Sequence, residues 1–189
     1  MSLILSSLRT VIVSMLICVV GYALLILGAA QLLNPAGAQG SLVRAADGHF
    51  VGSSQIAQAF TAPHYFWPRP SAVDYAADAA GGSNKSPTSS DLTDRGGEIV
   101  ARYGATAARP LPADLATASG AGLDPHISEA GALYQVPRVA AARGVEPDAV
   151  RTLVERLAYS PGGPFTDIRI VNVLALNLAL DTAQPAADP

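Results

Sequence analysis

The residues in this 189-residue chain that are suited to chemistry are few and scattered. His49, His64 and His126 lie far apart, and Asp124 stands within two residues of one of them, in Asp124-Pro125-His126. A carboxylate and an imidazole at that spacing can share a proton or begin a metal site, but a metal needs a fuller set of ligands and the sequence offers no recognisable one. No G-x-S-x-G context marks a nucleophile, and no phosphate-binding loop or dinucleotide fingerprint occurs. No catalytic or metal-ligating residue is therefore assigned, and the expectation is binding and shaping rather than catalysis.

Two stretches carry shape. T-A-S-G-A-G-L-D-P-H-I-S at 117 to 128 spends Gly120 and Gly122 where neither a good helix nor a good strand can form. Glycine lets the backbone approach something closely or take positive φ, and Pro125 fixes the turn after Asp124. H-Y-F-W-P-R-P-S-A at 64 to 72 runs three aromatics into two prolines that hold Arg69 extended. It is either an aromatic plug closing the core or an exposed aromatic and arginine anchor of the kind that dominates interfaces.

The elements that position these stretches begin with a membrane segment. From Thr10 to Leu33 the chain passes without a charge, long enough to cross a hydrocarbon core as a helix. Ala36-Gly37-Ala38 has the form of a signal cleavage site, but a signal core is shorter than this stretch, so a permanent anchor is favoured. Arg9 before the span and no charge again until Arg44 favour an N-terminus inside and the following domain outside. Ser14, Cys18, Gly21 and Gly28 share one face of a regular helix, where small residues let another transmembrane helix approach. Cys18 is the only cysteine, so the exported part carries no disulfide.

Beyond the span the charges sum to 11 basic and 15 acidic residues, since Arg9 is the one charge before it, giving a net of −4. Nucleic acid and anionic lipid are poor partners for such a surface. The acidic charge also weighs against reading V-A-A-A-R-G-V-E-P-D-A-V-R-T-L-V as a DNA-binding helix-turn-helix. The organisation expected is residues 1–9 cytoplasmic, 10–33 transmembrane, 34–41 linker and 42–189 one small mixed α/β extracytoplasmic domain, an α+β fold. Asp47-Gly48 predicts a hairpin over 42–51, and Ser53 or Ser54 can cap a brief helix through Phe60. A loop is expected over 76–90, then a helix over 91–103. Further helices are expected over 129–143, bent by Pro137, and over 147–158. Arg138, Arg143, Arg151 and Arg156 read as solvated faces of those two helices. Ile168 to Val171 is strand-like, and the leucine-rich end fits strand or helix equally.

Four collinear stretches carry a family resemblance: Y-F-W-P-R-P-S-A (65 to 72), G-G-S-N (81 to 84), D-L-A-T-A-S-G-A-G-L-D-P-H-I-S (114 to 128) and V-N-V-L-A-L-N-L-A-L-D (171 to 181). With Q-V-P-R-V-A-A-A-R-G at 135 to 144 and the single N-terminal span, the whole chain resembles the C subunits of the Kdp-type potassium-transporting P-type ATPase. Pro68, Ala80 and Lys85-Ser86 depart from the family's usual residues, which touches local loop shape only.

The resemblance implies a non-enzymatic, single-pass subunit of a bacterial inner-membrane pump. Its partners would be a potassium-channel-like subunit, an ATP-hydrolysing P-type subunit and a small accessory subunit, with membrane lipid around its helix. Family descriptions call the subunit a catalytic chaperone that raises ATP affinity, and the resemblance implies a nucleotide contact at Gln135. With Arg9 inside, Gln135 lies outside, so direct contact with ATP fails and any effect is coupling through the membrane subunits. An outer cap near the potassium entrance is the favoured reading; direct ATP binding with the P-type subunit and a free-standing exported binding domain are the alternatives. Tyr65, Phe66, Trp67, Arg69, Gly82, Ser83, Asn84, Ser119, Gly120, Gly122, Asp124 and His126 are expected to form one partner-facing or structural surface.

Overall fold

The computed structural model describes residues 2–45 and 47–183. Met1 of the expected N-terminal segment, Ala46 in the expected hairpin and positions 184–189 of the expected domain lie outside the described residues. The chain divides into two units between Leu42 and Val43.

The first unit is a continuous helix, Ser2–Leu33, of 32 residues, and an 18-residue stretch within it has a mean hydropathy of 2.7. It comprises α1 (Ser2–Met15), a π-helical stretch Leu16–Gly21 and α2 (Tyr22–Leu33). Leucine, isoleucine and valine face outward all round it, a surface suited to lipid rather than water. The hydroxyls of Thr10 and Ser14 donate to carbonyls one turn back, at 3.1 Å to Ser6 and 2.7 Å to Thr10, and so carry no unmet polar group into that setting. A π turn holds more residues than an α turn, so Leu16–Gly21 rotates Gly21 and Gly28 off the face that Ser14 would share with them on a regular helix. The linker begins with a helical turn, α3 (Pro35–Ala38), because Asn34 Oδ1 accepts from the Gly37 amide at 3.0 Å and Pro35 fits the first position.

The expected hairpin starts at the boundary, with β1 (Leu42–Arg44), β2 (Phe50–Ser53) and Gly48 at φ +87° in its turn. The short helix expected after Ser53 is absent: Ser53 Oγ accepts from the Gln55 amide at 3.1 Å and makes a turn instead. From there to Ser89 the chain has no regular element. Helix α4 (Ser90–Tyr103) ends on Gly104 at φ +59°, and α5 (Ala113–Ala116) is a single turn. Strand β3 (His126–Ser128) leads into α6 (Glu129–Arg143), capped by Ser128 Oγ on the Gly131 amide at 2.9 Å. Helix α6 continues through Pro137 and closes on Gly144 at φ +67°. Then follow α7 (Pro147–Leu157), β4 (Ile170–Asn172) and α8 (Val173–Ala183).

Strands β3 and β4 pair antiparallel, Ile127 opposite Val171, and Tyr159 extends the ladder through mutual 2.9 Å bonds with Ile170. Helices α6, α7 and α8 pack on this small sheet through Val136, Val139, Ala140, Val150, Val154, Leu176 and Leu180, all essentially removed from solvent. Each such side chain stabilises the fold by about 1.5–3 kcal/mol, less for alanine. The leucine-rich end is helical. Its buried positions, Val173, Leu176, Asn177 and Leu180, recur at helical spacing, and Asn172 Oδ1 caps the start on the Ala175 amide at 3.0 Å.

Candidate functional site

Residues 62 to 65 form a turn, closed by the Tyr65 amide on the Ala62 carbonyl at 3.2 Å, and residues 66 to 69 belong to no sheet. The main chain at Phe66 and Trp67 is satisfied by side chains instead. The Phe66 amide donates to Asn177 Oδ1 at 2.9 Å and its carbonyl accepts from Asn177 Nδ2 at 3.1 Å. One residue on, the Trp67 amide donates to Gln135 Oε1 at 2.8 Å and its carbonyl accepts from Gln135 Nε2 at 3.1 Å. Asn177 from α8 and Gln135 from α6 are each 1% exposed. A strand buried without a neighbour would carry unmet amides and carbonyls, and these two amides take the neighbour's place.

Two arginines of α6 extend the grip. Arg138 Nη1 donates to the Pro63 and Tyr65 carbonyls at 2.6 and 3.0 Å, while its Nη2 reaches Gln135 Oε1 at 2.6 Å. Arg143 Nε donates to the His64 carbonyl at 2.8 Å, and its Nη2 pairs with Asp181 Oδ1 at 2.6 Å. Tyr65 donates to the other Asp181 oxygen at 3.0 Å. The solvated reading of these arginines is therefore corrected: Arg138 is half-buried and the Arg143 side chain is fully buried, because both answer main-chain carbonyls of 62 to 69. Arg151 and Arg156 are exposed as expected. Burial, with the nearby Arg102 charge adding to it, lowers Arg138 to about 10.

Phe66 is fully buried and Trp67 nearly so, which makes this pair the plug rather than an exposed anchor. Trp67 donates its indole N–H to the Ala62 carbonyl at 3.0 Å. Two guanidinium groups lie over its ring, Arg138 at 3.7 Å and Arg102 at 4.0 Å from the centroid. Tyr103 stands edge-on to it at 5.2 Å, and burial raises that phenol to about 12.

The glycine-rich loops meet beside this plug. The Gly81 amide donates to the Ala121 carbonyl at 2.8 Å, the Ser119 amide to Pro70 at 3.2 Å, and Ser71 Oγ to Gly122 at 2.7 Å. Gly122 is buried at φ +69°, and a Cβ there would lie 2.6 Å from Val73 Cγ2 and 2.8 Å from the Gly81 oxygen. A Cβ on Gly82 would meet the Gly120 oxygen at 2.9 Å. Gly120 is different: it is exposed, and a Cβ on it meets nothing within 4 Å. Arg69 joins the two stretches through Asp124 at 3.2 Å and the Ala118 carbonyl at 3.4 Å. Asp124 Oδ1 also accepts from the His126 amide at 3.0 Å and faces its ring, whose Nε2 lies 3.0 Å from the Tyr159 hydroxyl. The hydrogen bond with the His126 ring and burial act in opposite senses on Asp124, and the net effect holds its carboxyl below the usual carboxylate range.

Arg69, Pro70, Ser71 and Gly81 of one stretch thus meet Ser119, Ala121, Gly122 and Asp124 of the other, with Phe66, Trp67, Ser119 and Gly122 inward and Asn84 and Gly120 outward. Gln135 lies in the interior under Trp67. Gly82, Ser83, Asn84, Arg95, Ser119 and Gly120 border a groove of about 400 Å³. Sequence reasoning missed Asn177, Arg138, Arg143 and Asp181. Helical spacing was the available signal for Arg143, which falls on the stripe of Val136, Val139 and Ala140.

Residues 4–182 match the family model described as K+-transporting ATPase, c chain. A potassium-transporting ATPase KdpC subunit of Parvibaculum lavamentivorans is 61% identical over 181 residues, covering 96% of this chain and 97% of that protein. A KdpC subunit of Rhodopseudomonas palustris strain TIE-1 is 46% identical over 200 aligned residues, covering 96% and 99%. One from Myxococcus xanthus is 45% identical, covering 94% and 86%. With agreement of this extent along its length, the chain belongs to the KdpC family of potassium-transporting ATPase subunits.

Proposed function

We propose that this chain is a non-catalytic, single-pass subunit of an ATP-driven potassium uptake pump, with residues 10–33 in the bacterial inner membrane and the domain from 42 onward outside it. There it caps the complex near the potassium entrance. It stabilises the assembly of the channel-like, ATP-hydrolysing and small accessory subunits. The observation that carries the mechanism is the place of Gln135: its amide is committed to Trp67 and Arg138 in the interior, at 1% exposure. A side chain so engaged supports an indirect influence on ATP affinity, exerted through the partner subunits, over a direct nucleotide contact. The Arg9 charge, just ahead of the uncharged stretch 10–33, supports the orientation.

The test is topology within the intact pump. Cys18→Ser removes the native thiol and Glu155→Cys places one on the exposed face of α7. Labelling of that thiol in whole cells by a membrane-impermeant reagent, once the outer barrier is open, is the expected result. Protection until the inner membrane is broken would put the domain in the cytoplasm and restore direct ATP binding at Gln135.

A further inference from the structure

Three arginines crowd around one aromatic staircase. Trp67, Tyr103 and Tyr134 follow one another edge-on, with centroids 5.2 and 6.2 Å apart. Arg138 and Arg102 both lie over Trp67, and Arg109 lies over Tyr134 at 4.2 Å. Among the described residues none of these three guanidinium groups has a carboxylate partner, although Arg69, Arg143, Arg151 and Arg169 all do. Glu98 lies one helical turn before Arg102 and makes no ion pair with it.

The three cations differ in what they have left to give. Arg138 spends both terminal nitrogens on carbonyl and amide oxygens. Arg109 is exposed and spends one nitrogen on the Tyr134 carbonyl at 2.6 Å. Arg102 is exposed and, among the described residues, its guanidinium makes no hydrogen bond. Each arginine carries a fork of five N–H donors, so Arg102 and Arg109 present a large unspent donor capacity. Stacking on the rings holds both planes in place, and donors fixed beforehand lose little freedom when an acceptor arrives. Their charge stands out against a domain whose net charge is −4, from 11 basic and 15 acidic residues.

We infer that Arg102 and Arg109, stacked on Trp67 and Tyr134, form the docking point for an acidic side chain, aspartate or glutamate, on another chain of the pump. The inference rests on the pump-subunit reading above. A carboxylate matches the arginine fork with paired hydrogen bonds and offsets the mutual repulsion of Arg102 and Arg138. Phospholipid headgroups are disfavoured, because recognition of an anionic surface takes four to eight clustered basic residues and a domain that is not itself acidic.

The test uses the whole detergent-solubilised complex, captured through a tag on this chain. Arg102→Lys or Arg109→Lys puts an amine at the docking point, and a water-soluble carbodiimide then joins it directly to any carboxylate it touches. The background is low because Lys85 is the only lysine, and its contact with Asp91 at 2.6 Å gives an internal control crosslink. The expected result is a new crosslink to an aspartate or glutamate on a partner chain, located by peptide mass. The R102E/R109E variant is expected to retain about tenfold less partner chain than wild type, with its helix content by circular dichroism and its cooperative unfolding retained. Crosslinks confined to this chain, undiminished retention by folded R102E/R109E, or a loss seen only when phosphatidylglycerol is present would overturn the inference. If charge reversal unfolds the domain, the lysine crosslink decides alone. A wild-type chain that brings down no partner would overturn the pump-subunit reading as well; partner capture with no crosslink overturns the docking point only.

Discussion

Gln135 and Trp67 are joined as two strands would be, the tryptophan amide donating to the side-chain oxygen at 2.8 Å and the side-chain nitrogen donating to the tryptophan carbonyl at 3.1 Å. Asn177 repeats the arrangement on Phe66. The motif stretch is thus held by residues 68 and 111 positions away, which ties α6 and α8 to the aromatic plug.

Gln135→Leu keeps the approximate size of the side chain and removes both bonds. The Trp67 amide and carbonyl are then buried without partners, each costing about 1–3 kcal/mol, so a loss of about 2–4 kcal/mol is expected. Urea unfolding followed by Trp67, the only tryptophan, measures it directly. Unchanged stability with weakened ATP binding by the pump would instead assign Gln135 to nucleotide.

The glycines of the 117–128 loop separate by the same reasoning. Gly122→Ala places a Cβ at 2.6 Å from Val73 in a left-handed backbone conformation and should cost more than about 1 kcal/mol. Gly120→Ala meets open space and should lie within about 0.5 kcal/mol of wild type. Comparing the two melting curves checks the contrast, and equal losses would contradict it.

Arg143→Met fills much of the buried space but leaves the His64 carbonyl and Asp181 without their donor. Breaking a fully buried pair costs about 3–5 kcal/mol, and the partial exposure of Asp181 brings the expectation to about 2 kcal/mol. Asp181→Asn keeps one oxygen to accept from Arg143 and can donate from its amide nitrogen to the Tyr65 hydroxyl oxygen, and should cost less. Equilibrium unfolding of the two variants tests the order.

Much of this arrangement was legible in the sequence. Asp47-Gly48, Ser128 before Glu129, Pro147, and the glycines at 104 and 144 place turns and helix ends by local backbone chemistry, and the elements form there. The 65–84 and 119–126 stretches touch through Pro70 and Ser119, Gly81 and Ala121, and Arg69 and Asp124. What failed was the direction of long polar side chains. Arg138 and Arg143 looked like solvent-facing residues because their partners are main-chain carbonyls more than 70 residues away, and no local pattern announces those. The leucine-rich end was ambiguous for a related reason. Its alternating leucines suit a strand, and the Asn172 cap and the buried contact of Asn177 with Phe66 favour the helix.

Asp124 makes acid sensitivity a test of the junction between the two motif stretches. Its hydrogen bond with the His126 ring, the His126 amide and the Arg69 charge all favour the carboxylate, and its folded pKa is lowered below the unfolded value of about 3.9. A lowered pKa means that the ionised group stabilises the fold fully above that unfolded value, and that this contribution disappears as pH falls through the folded value. Asp124→Asn removes the titration while keeping a similar shape. At neutral pH the variant should melt below wild type, and on acidification below about pH 4 the two melting temperatures should converge. The carboxylate is about a third exposed, so solvent screening keeps the gap modest. Parallel melting curves for the two proteins from pH 7 to pH 2.5 would show that the Asp124 contacts contribute nothing to holding Arg69 and His126 together.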